Sequence, residues 1–253
     1  MDENMVHTLT TTVDLVAATL DVAPNSWRDH LNAVRNITSI LEINDSAPNE
    51  ARRAWQIPLI TVFQRVAYAD HDGGGVLDIA NWCLRQSVTL LQVYPDDIDL
   101  LALIGGNWLL RAQQSLARIH SAERSSSSSG ASQTVPLSQS EDDQLAASAA
   151  AEAEELLHTA DYVEARGILL PAIEYLKRAV DAAQGQGKVT GGLLCSAAEA
   201  YMSLGNVTSS RSNNQHFQAA LAYLRRATQI HGFSLPEHMQ QYLDEFGPLE
   251  SVG

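Results

Sequence analysis

Lysine is nearly missing from this chain. Only Lys177 and Lys188 occur, and arginines make up the rest of the 16 basic residues. Thirty acidic residues outnumber them, for a formal net charge of −14. A nucleic-acid binder needs a basic footprint for the phosphates, so no nucleic-acid partner is expected. No basic run is available to hold an anionic membrane surface. No apolar run approaches the ~20 residues of a membrane-spanning helix, so no membrane insertion is expected. Met1-Asp2-Glu3-Asn4 lacks the basic start of a secretory leader. Cysteine is equally scarce. Cys83 and Cys195 cannot build a disulfide framework and suit a reducing compartment, cytoplasmic or nuclear.

Chemical signatures are missing too. There is no Gly-x-Ser-x-Gly, no phosphate-binding loop and no dinucleotide fingerprint. The eight histidines are scattered, with no pair three or four residues apart, and no Cys-x-x-Cys exists. The expectation is a protein that is not an enzyme, with no cofactor and no metal. Aromatic residues are only 6% of the chain.

What the chain does have is 45% hydrophobic residues, rich in Ala and Leu, over 253 positions. That suits a helical globular protein with a sizeable core. A Leu/Val pattern over about 6–21 stops before Pro24. Ser26 reads as the N-cap of a helix carrying Trp27, Leu31, Val34, Ile37 and Leu41, spaced by threes and fours on one face. A third helix is predicted over 48–69, with a kink at Pro58, ended by Asp72-Gly73-Gly74-Gly75. A fourth runs from Val76 to before Pro95. Pro95-Asp96-Asp97 opens a fifth, which carries Leu100, Leu101, Ile104, Trp108 and Leu109 to about His120.

From Ser121 to Ser140 the composition changes to a serine-rich stretch, including the unbroken Ser125 to Ser129, which reads as a flexible loop. Ser140 then caps a helix that reaches Thr159. Further helices are predicted over 161–183, 189–204 and 214–230, and Pro236 opens a last one ending near Phe246. No stretch alternates with period two. The fold class expected is therefore all-α with no sheet, built of stacked antiparallel hairpins. The organisation is residues 1–75 as N-terminal helices (a cap or degenerate repeat), 76–120 as paired helices, 121–140 as the loop, and 141–253 as hairpins with a C-terminal capping helix.

Three segments resemble the tetratricopeptide repeat (TPR) family. Pro95-Asp96-Asp97 is followed by Leu101, Ile104-Gly105 and Trp108, the inter-repeat proline and first-helix spacing of that family. Asp161-Tyr162-x-Glu164-Ala165, with Leu169 and Ala172, resembles its turn and second helix. Ala172, Leu176 and Ala179 offer a second register. Leu194, Ala198, Tyr201 and Gly205 resemble a first helix, and Phe217, Ala220, Leu224 and Ala227 its second. The polar loop Asn206 to Gln215, the position of Pro171 and the first 75 residues depart from the pattern.

The resemblance implies a TPR-like right-handed superhelix whose groove holds a peptide or partner helix. Asp99, Leu103, Ser196, Glu199 and Met202 are the partner-binding candidates it implies. The inward positions Asp99, Ala102, Leu103 and Gly106, and Gly192, Cys195, Ser196 and Glu199, include no basic residue. A clamp for chaperone carboxylates is therefore not expected.

Asp70-His71-Asp72-Gly73-Gly74-Gly75-Val76-Leu77-Asp78 is set out like the start of a calcium loop, with Asp70, Asp72 and Asp78 as candidate ligands. Gly74 stands at the fifth place and Asn81 at the twelfth, where a bidentate glutamate belongs. The stretch Glu141 to Arg166 holds eight acids and one arginine, which favours a basic partner. Trp27-Arg28-Asp29-His30-Leu31 resembles a short helix of regulatory regions in fungal zinc-cluster transcription factors. Taken together, the sequence predicts a non-catalytic adaptor or scaffold that binds a protein or peptide. The alternatives are a constitutive or self-associating subunit, a regulatory fragment related to transcription factors, and an all-helical enzyme without a readable motif.

Overall fold

The computed structural model describes residues 3–43, 47–127, 148, 151–152 and 154–247. Among these residues every regular element is helical and no strand occurs. The helices are α1 (Glu3–Val22), α2 (Trp27–Ile43), α3 (Glu50–Ala67), α4 (Leu77–Leu91), α5 (Ile98–Ser127), α6 (Ala160–Gly185), α7 (Gly191–Asn206), α8 (Asn214–Thr228) and α9 (Glu237–Phe246). The chain forms two compact units. Unit 1 is Met1–Arg111 with Glu174–Val189, and unit 2 is Ala112–Ile173 with Thr190–Gly253. Of the three divisions, two fall within helices α5 and α6 and the third between α6 and α7.

In unit 1, α1 buries Leu9, Val13, Val16 and Leu20, an i, i+4, i+7, i+11 stripe. Its threonines return their hydroxyls to the preceding turn, as Thr11 does to the His7 carbonyl at 2.8 Å. Ser26 is not the N-cap of α2, contrary to the sequence expectation. It ends a 3-10 turn, Pro24–Ser26, and its hydroxyl donates backward to the Ala23 carbonyl at 2.7 Å. Proline at the start of that turn has no N–H to leave unsatisfied, so the turn runs directly into α2. Asn49 caps α3 instead, its Oδ1 accepting from the Arg52 N–H at 2.9 Å.

Pro58 lies inside α3, which stays one helix over Glu50–Ala67. Proline removes the bond to the carbonyl four residues back, here that of Ala54. Both residues are exposed, so water can take that carbonyl. α3 ends at the Gly-rich turn. Val76 N–H closes it by donating to the Ala67 carbonyl at 2.7 Å. Gly75 sits at φ +68, and a Cβ there would meet the Ala67 oxygen at 2.5 Å, so only glycine suits this corner.

The core of unit 1 is laid down by α3, α4 and α5. Phe63 and Trp82 meet with ring centroids 5.7 Å apart. Leu59, Ile60, Ile79, Leu90, Leu100, Leu101 and Ile104 are all fully buried. Gly105 lets α6 approach α5, since a Cβ there would stand 2.7 Å from Leu176 Cγ and 3.0 Å from its backbone nitrogen. Asp97 caps α5: its Oδ1 accepts from the Leu100 N–H at 3.0 Å while Oδ2 accepts from Arg53. α5 then continues to Ser127 rather than stopping at His120, so the expected loop is helical over 121–127. Residues 128–140, including Ser138 and Ser140, lie outside the described residues, as does most of the helix expected after Ser140.

In unit 2, α7 and α8 form an antiparallel-type hairpin whose contact is made by small residues. Ala197, Ala198, Ala200 and Gly205 of α7 and Ala220 and Ala227 of α8 are buried. Small side chains let two helix backbones come close. A Cβ on Gly205 would stand 2.6 Å from the Phe217 ring, and one on Gly191 would stand 2.2 Å from Phe233. Thr190 caps α7 by accepting from the Leu193 N–H at 3.3 Å. Arg166 ties α6 to the end of α7, donating to the carbonyls of Val207 at 2.7 Å and Leu157 at 2.6 Å.

Candidate functional site

The helix α8 carries two stripes. Ala220, Leu221, Leu224 and Ala227 are buried against α7. Ala219, Ala222, Tyr223 and Arg226 form a second i, i+3, i+4, i+7 row that remains partly or fully exposed. With Tyr201 of α7 these four line a groove of about 220 Å³. Tyr201 and Tyr223 face each other with ring centroids 5.8 Å apart and planes at 31°. The His216 ring lies 6.3 Å from Tyr201 on the other side, so three rings run in series. The Arg226 guanidinium sits 5.8 Å from the Tyr223 ring centre, within cation–π range. Partial burial pushes the His216 imidazole below its ordinary range, which keeps it neutral near pH 7. The groove holds no nucleophile and no carboxylate among its lining residues. Its chemistry is stacking, apolar contact and one fixed positive charge.

The sequence-predicted partner residues fall into both units. Asp99 and Leu103 are on α5 in unit 1, Asp99 exposed and Leu103 half-buried with its carbonyl accepting from Gln64 Nε2 at 3.2 Å. Ser196, Glu199 and Met202 are on α7 in unit 2, three residues apart along one flank and all half-buried. The Ser196 hydroxyl donates within its own helix, to the Gly192 carbonyl at 3.2 Å. Tyr201, beside Met202, is the α7 residue that reaches the groove. The signal that would have found the α8 side was present in the sequence. It is the second row at 219, 222, 223 and 226, which overlaps the small-residue pattern of the same helix.

The calcium-loop carboxylates are separately engaged. Asp78 pairs with Arg35, accepting from Nε at 2.7 Å and Nη2 at 3.3 Å. That guanidinium holds the Asp78 carboxyl below the usual range. Asp70 accepts from the Gly73 N–H at 3.3 Å and lies 3.8 Å from Arg28. Asp72 is 3.6 Å from His71. Among the described residues no group of three His, Cys, Asp or Glu side chains is placed to hold a metal ion. Cys83 and Cys195 are both buried thiols, and burial pushes both up from the ordinary thiol range. Of the acidic stretch, Glu141, Asp142 and Asp143 lie outside the described residues. Glu152, Glu154 and Glu155 are exposed.

A buried polar cluster in unit 1 was not anticipated from sequence. Asn107 is fully buried. Its Nδ2 donates to Gln64 Oε1 at 3.2 Å and to the Ala80 carbonyl at 3.1 Å, and its Oδ1 accepts from the Tyr68 hydroxyl at 3.2 Å. Burial raises the Tyr68 phenol, with Arg111 opposing. A second set joins Arg52 to Gln56 and Gln86, with Arg52 Nε donating to Gln56 Oε1 at 2.6 Å and Gln56 Nε2 to Gln86 Oε1 at 2.8 Å. Arg52 also borders a cavity of about 580 Å³ with Val6, His7, Thr10 and Trp55. Nothing in either set combines a nucleophile with a base, and both link buried polar groups on different helices, which fixes helix register.

The fold and this surface define an all-helical protein of packed helix pairs bearing an aromatic groove. The sequence matches no family model, and neither a curated protein nor a solved structure matches it significantly. Among the described residues no helix is long and apolar enough to cross a membrane.

Proposed function

We propose that the protein is a non-catalytic interaction module, an adaptor or scaffold that docks a peptide through the α7–α8 hairpin. The observation that carries this reading is the groove where the half-buried Tyr201 of α7 and the half-buried Tyr223 and Arg226 of α8 meet Ala219 and Ala222. Tyrosine and arginine are enriched among the few residues that carry most of the binding energy at protein interfaces. The TPR-like resemblance agrees with a hairpin that binds peptides, and its candidate residues Glu199 and Met202 share the helix that supplies Tyr201. The buried thiols suit a cytoplasmic or nuclear setting.

The test is affinity capture from native extract, followed by reconstitution with the purified partner, using wild type, Tyr223→Ala and the pair Glu199→Ala/Met202→Ala. A partner lost with Tyr223→Ala locates the interface on the groove. A partner lost only with the pair moves it to the flank of α7. Equal recovery throughout removes α7–α8 as the interface.

A second reading rests on a different observation. Val163 and Leu170 on α6 are 52% and 58% exposed, seven residues apart, and a Cβ on the intervening Gly167 would meet nothing within 4 Å. This open apolar stripe favours self-association with a second copy. Light scattering on the pure protein decides it: a dimer dispersed by Leu170→Glu supports it, and a monomer at all concentrations removes it.

A further inference from the structure

We infer that unit 1 holds a small-molecule site, the cavity between α1 and the start of α3, and that its ligand is an uncharged planar heteroaromatic molecule lying against Trp55. The site is separate from the α7–α8 groove and independent of the docking reading above.

Size argues first. The cavity measures about 580 Å³, within the roughly 300–1,000 Å³ of sites that enclose a metabolite or cofactor. Its α1 side is the row Glu3, Val6, His7 and Thr10, spaced i, i+3, i+4, i+7 on one helix face. That row is distinct from the buried stripe Leu9, Val13, Val16 and Leu20, so the core of unit 1 does not consume it. The α3 side runs from the cap residue Asn49 through Ala51 and Arg52 to Trp55.

The tryptophans argue second. The chain has four. Trp82 packs against Phe63 in the core. Trp27 and Trp108 each carry a guanidinium over the ring, that of Arg28 at 4.2 Å and that of Arg111 at 5.2 Å. Trp55 is half-buried and borders the cavity, and among the described residues no ring or guanidinium lies against it. An indole face open to a cavity is a platform for a flat π-system, and such stacking tolerates many ring types.

Polarity and charge narrow the ligand. Asn49 uses its Oδ1 to cap α3, which leaves Nδ2 as a donor. The Thr10 hydroxyl donates to the Val6 and His7 carbonyls, each at 3.0 Å, and keeps lone pairs for accepting. A pure hydrocarbon would strip water from these groups and return nothing, so the ring needs nitrogen or oxygen atoms at its edge. The buried Arg52 is held by Gln56 at 2.6 Å and by Gln86 at 3.0 Å, so an anion would have to displace those amides to reach it. Glu3 is exposed, where water and salt screen its pull on a cation. Neither sign of charge is favoured, whereas a neutral ring meets no opposing term.

The experiment uses the full chain and four matched probes followed by saturation-transfer NMR and titration: a quinoline carboxamide, its N-methylated cation, the corresponding quinoline carboxylate, and a saturated bicyclic carboxamide. The neutral quinoline is expected to bind wild type best, with saturation strongest on its ring protons. Trp55→Ala is expected to weaken it by about tenfold or more, and Trp55→Phe to keep most of the affinity. Ala51 is exposed, so Ala51→Phe fills the cavity without touching the core and is expected to abolish binding. Far-UV circular dichroism of each variant guards against a folding defect. No binding of the neutral quinoline, equal or tighter binding of either charged probe or of the saturated probe, or indifference to both Trp55→Ala and Ala51→Phe would each overturn the inference.

Discussion

The core of unit 1 and the α7–α8 hairpin of unit 2 solve helix packing in opposite ways. In unit 1, large side chains such as Phe63, Leu59 and Ile104 fill the space, and buried amides fasten the helices to one another. In the hairpin, alanine and glycine share the packing with Leu194, Leu204, Leu221 and Leu224, and the aromatic residues Tyr201, Phe217 and Tyr223 are only half-buried. The difference shows where each region can spend side chains. In unit 1 the rings of Phe63 and Trp82 are inside the core, whereas in the hairpin those of Tyr201 and Tyr223 stand half-buried.

Substitutions sharpen this contrast. The largest effect is expected for Phe63→Ala, which removes a ring with no exposure and should destabilise by about 3–5 kcal/mol, against about 1 kcal/mol or less for the rim variant Tyr223→Ala. Urea unfolding followed by tryptophan fluorescence measures both. Comparable losses would mean that the tyrosine row is core rather than docking surface.

Next comes Asn107→Ala, which strands the Gln64 amide, the Tyr68 hydroxyl and the Ala80 carbonyl. Leaving buried polar groups unmatched costs about 1–3 kcal/mol. A loss near zero would show that the cluster is hydrated rather than dry.

Two glycines divide the regions again. Gly105→Ala pushes on the buried Leu176, including its backbone nitrogen at 3.0 Å, and should cost about 1–3 kcal/mol. Gly205→Ala pushes on the half-buried ring of Phe217, which can swing outward. Alanine also favours helix over glycine by about 1 kcal/mol, so the net change at position 205 should be near zero. Thermal melts of the pair rank them, and a larger loss at 205 would reverse the contrast.

The smallest effects are pH effects. His216 has a folded-state pKa depressed by burial, so the unfolded chain binds its proton more readily. Stability is therefore expected to fall as pH drops from about 6.5 through the folded-state value. His216→Phe should flatten that slope. Asp78, held down by Arg35, contributes stability above its unfolded pKa that is lost as pH falls through its folded value. Asp78→Asn should remove that acid-side loss, and raised salt should blunt it because the pair is exposed.

Reading the residues alone recovered much of the helix plan. The stripe Val34, Ile37, Leu41 and the run Leu100, Leu101, Ile104 are buried as their spacing requires. Ser26 misled because a hydroxyl before an apolar stripe looks the same whether it caps a helix or closes a 3-10 turn, and Pro24 selected the turn. Pro58 was read as a kink, and it lies inside the single helix Glu50–Ala67, where the exposed Ala54 can leave its carbonyl to water. Tyr201 was legible as a helix position, but its pairing with Tyr223 was not, because the rings meet across two helices.

Local periodicity and composition, then, were enough by themselves to settle that the chain is helical and acidic and where most helices run, because those properties depend on neighbours within a turn or two. Only the tertiary structure established that Asn107 is buried among amides, that Asp78 belongs to Arg35 rather than to a metal loop, and that Tyr201, Tyr223 and Arg226 share a groove. Each of those is a meeting of residues distant in the chain, and distance in sequence carries no information about which face a helix turns toward its neighbour.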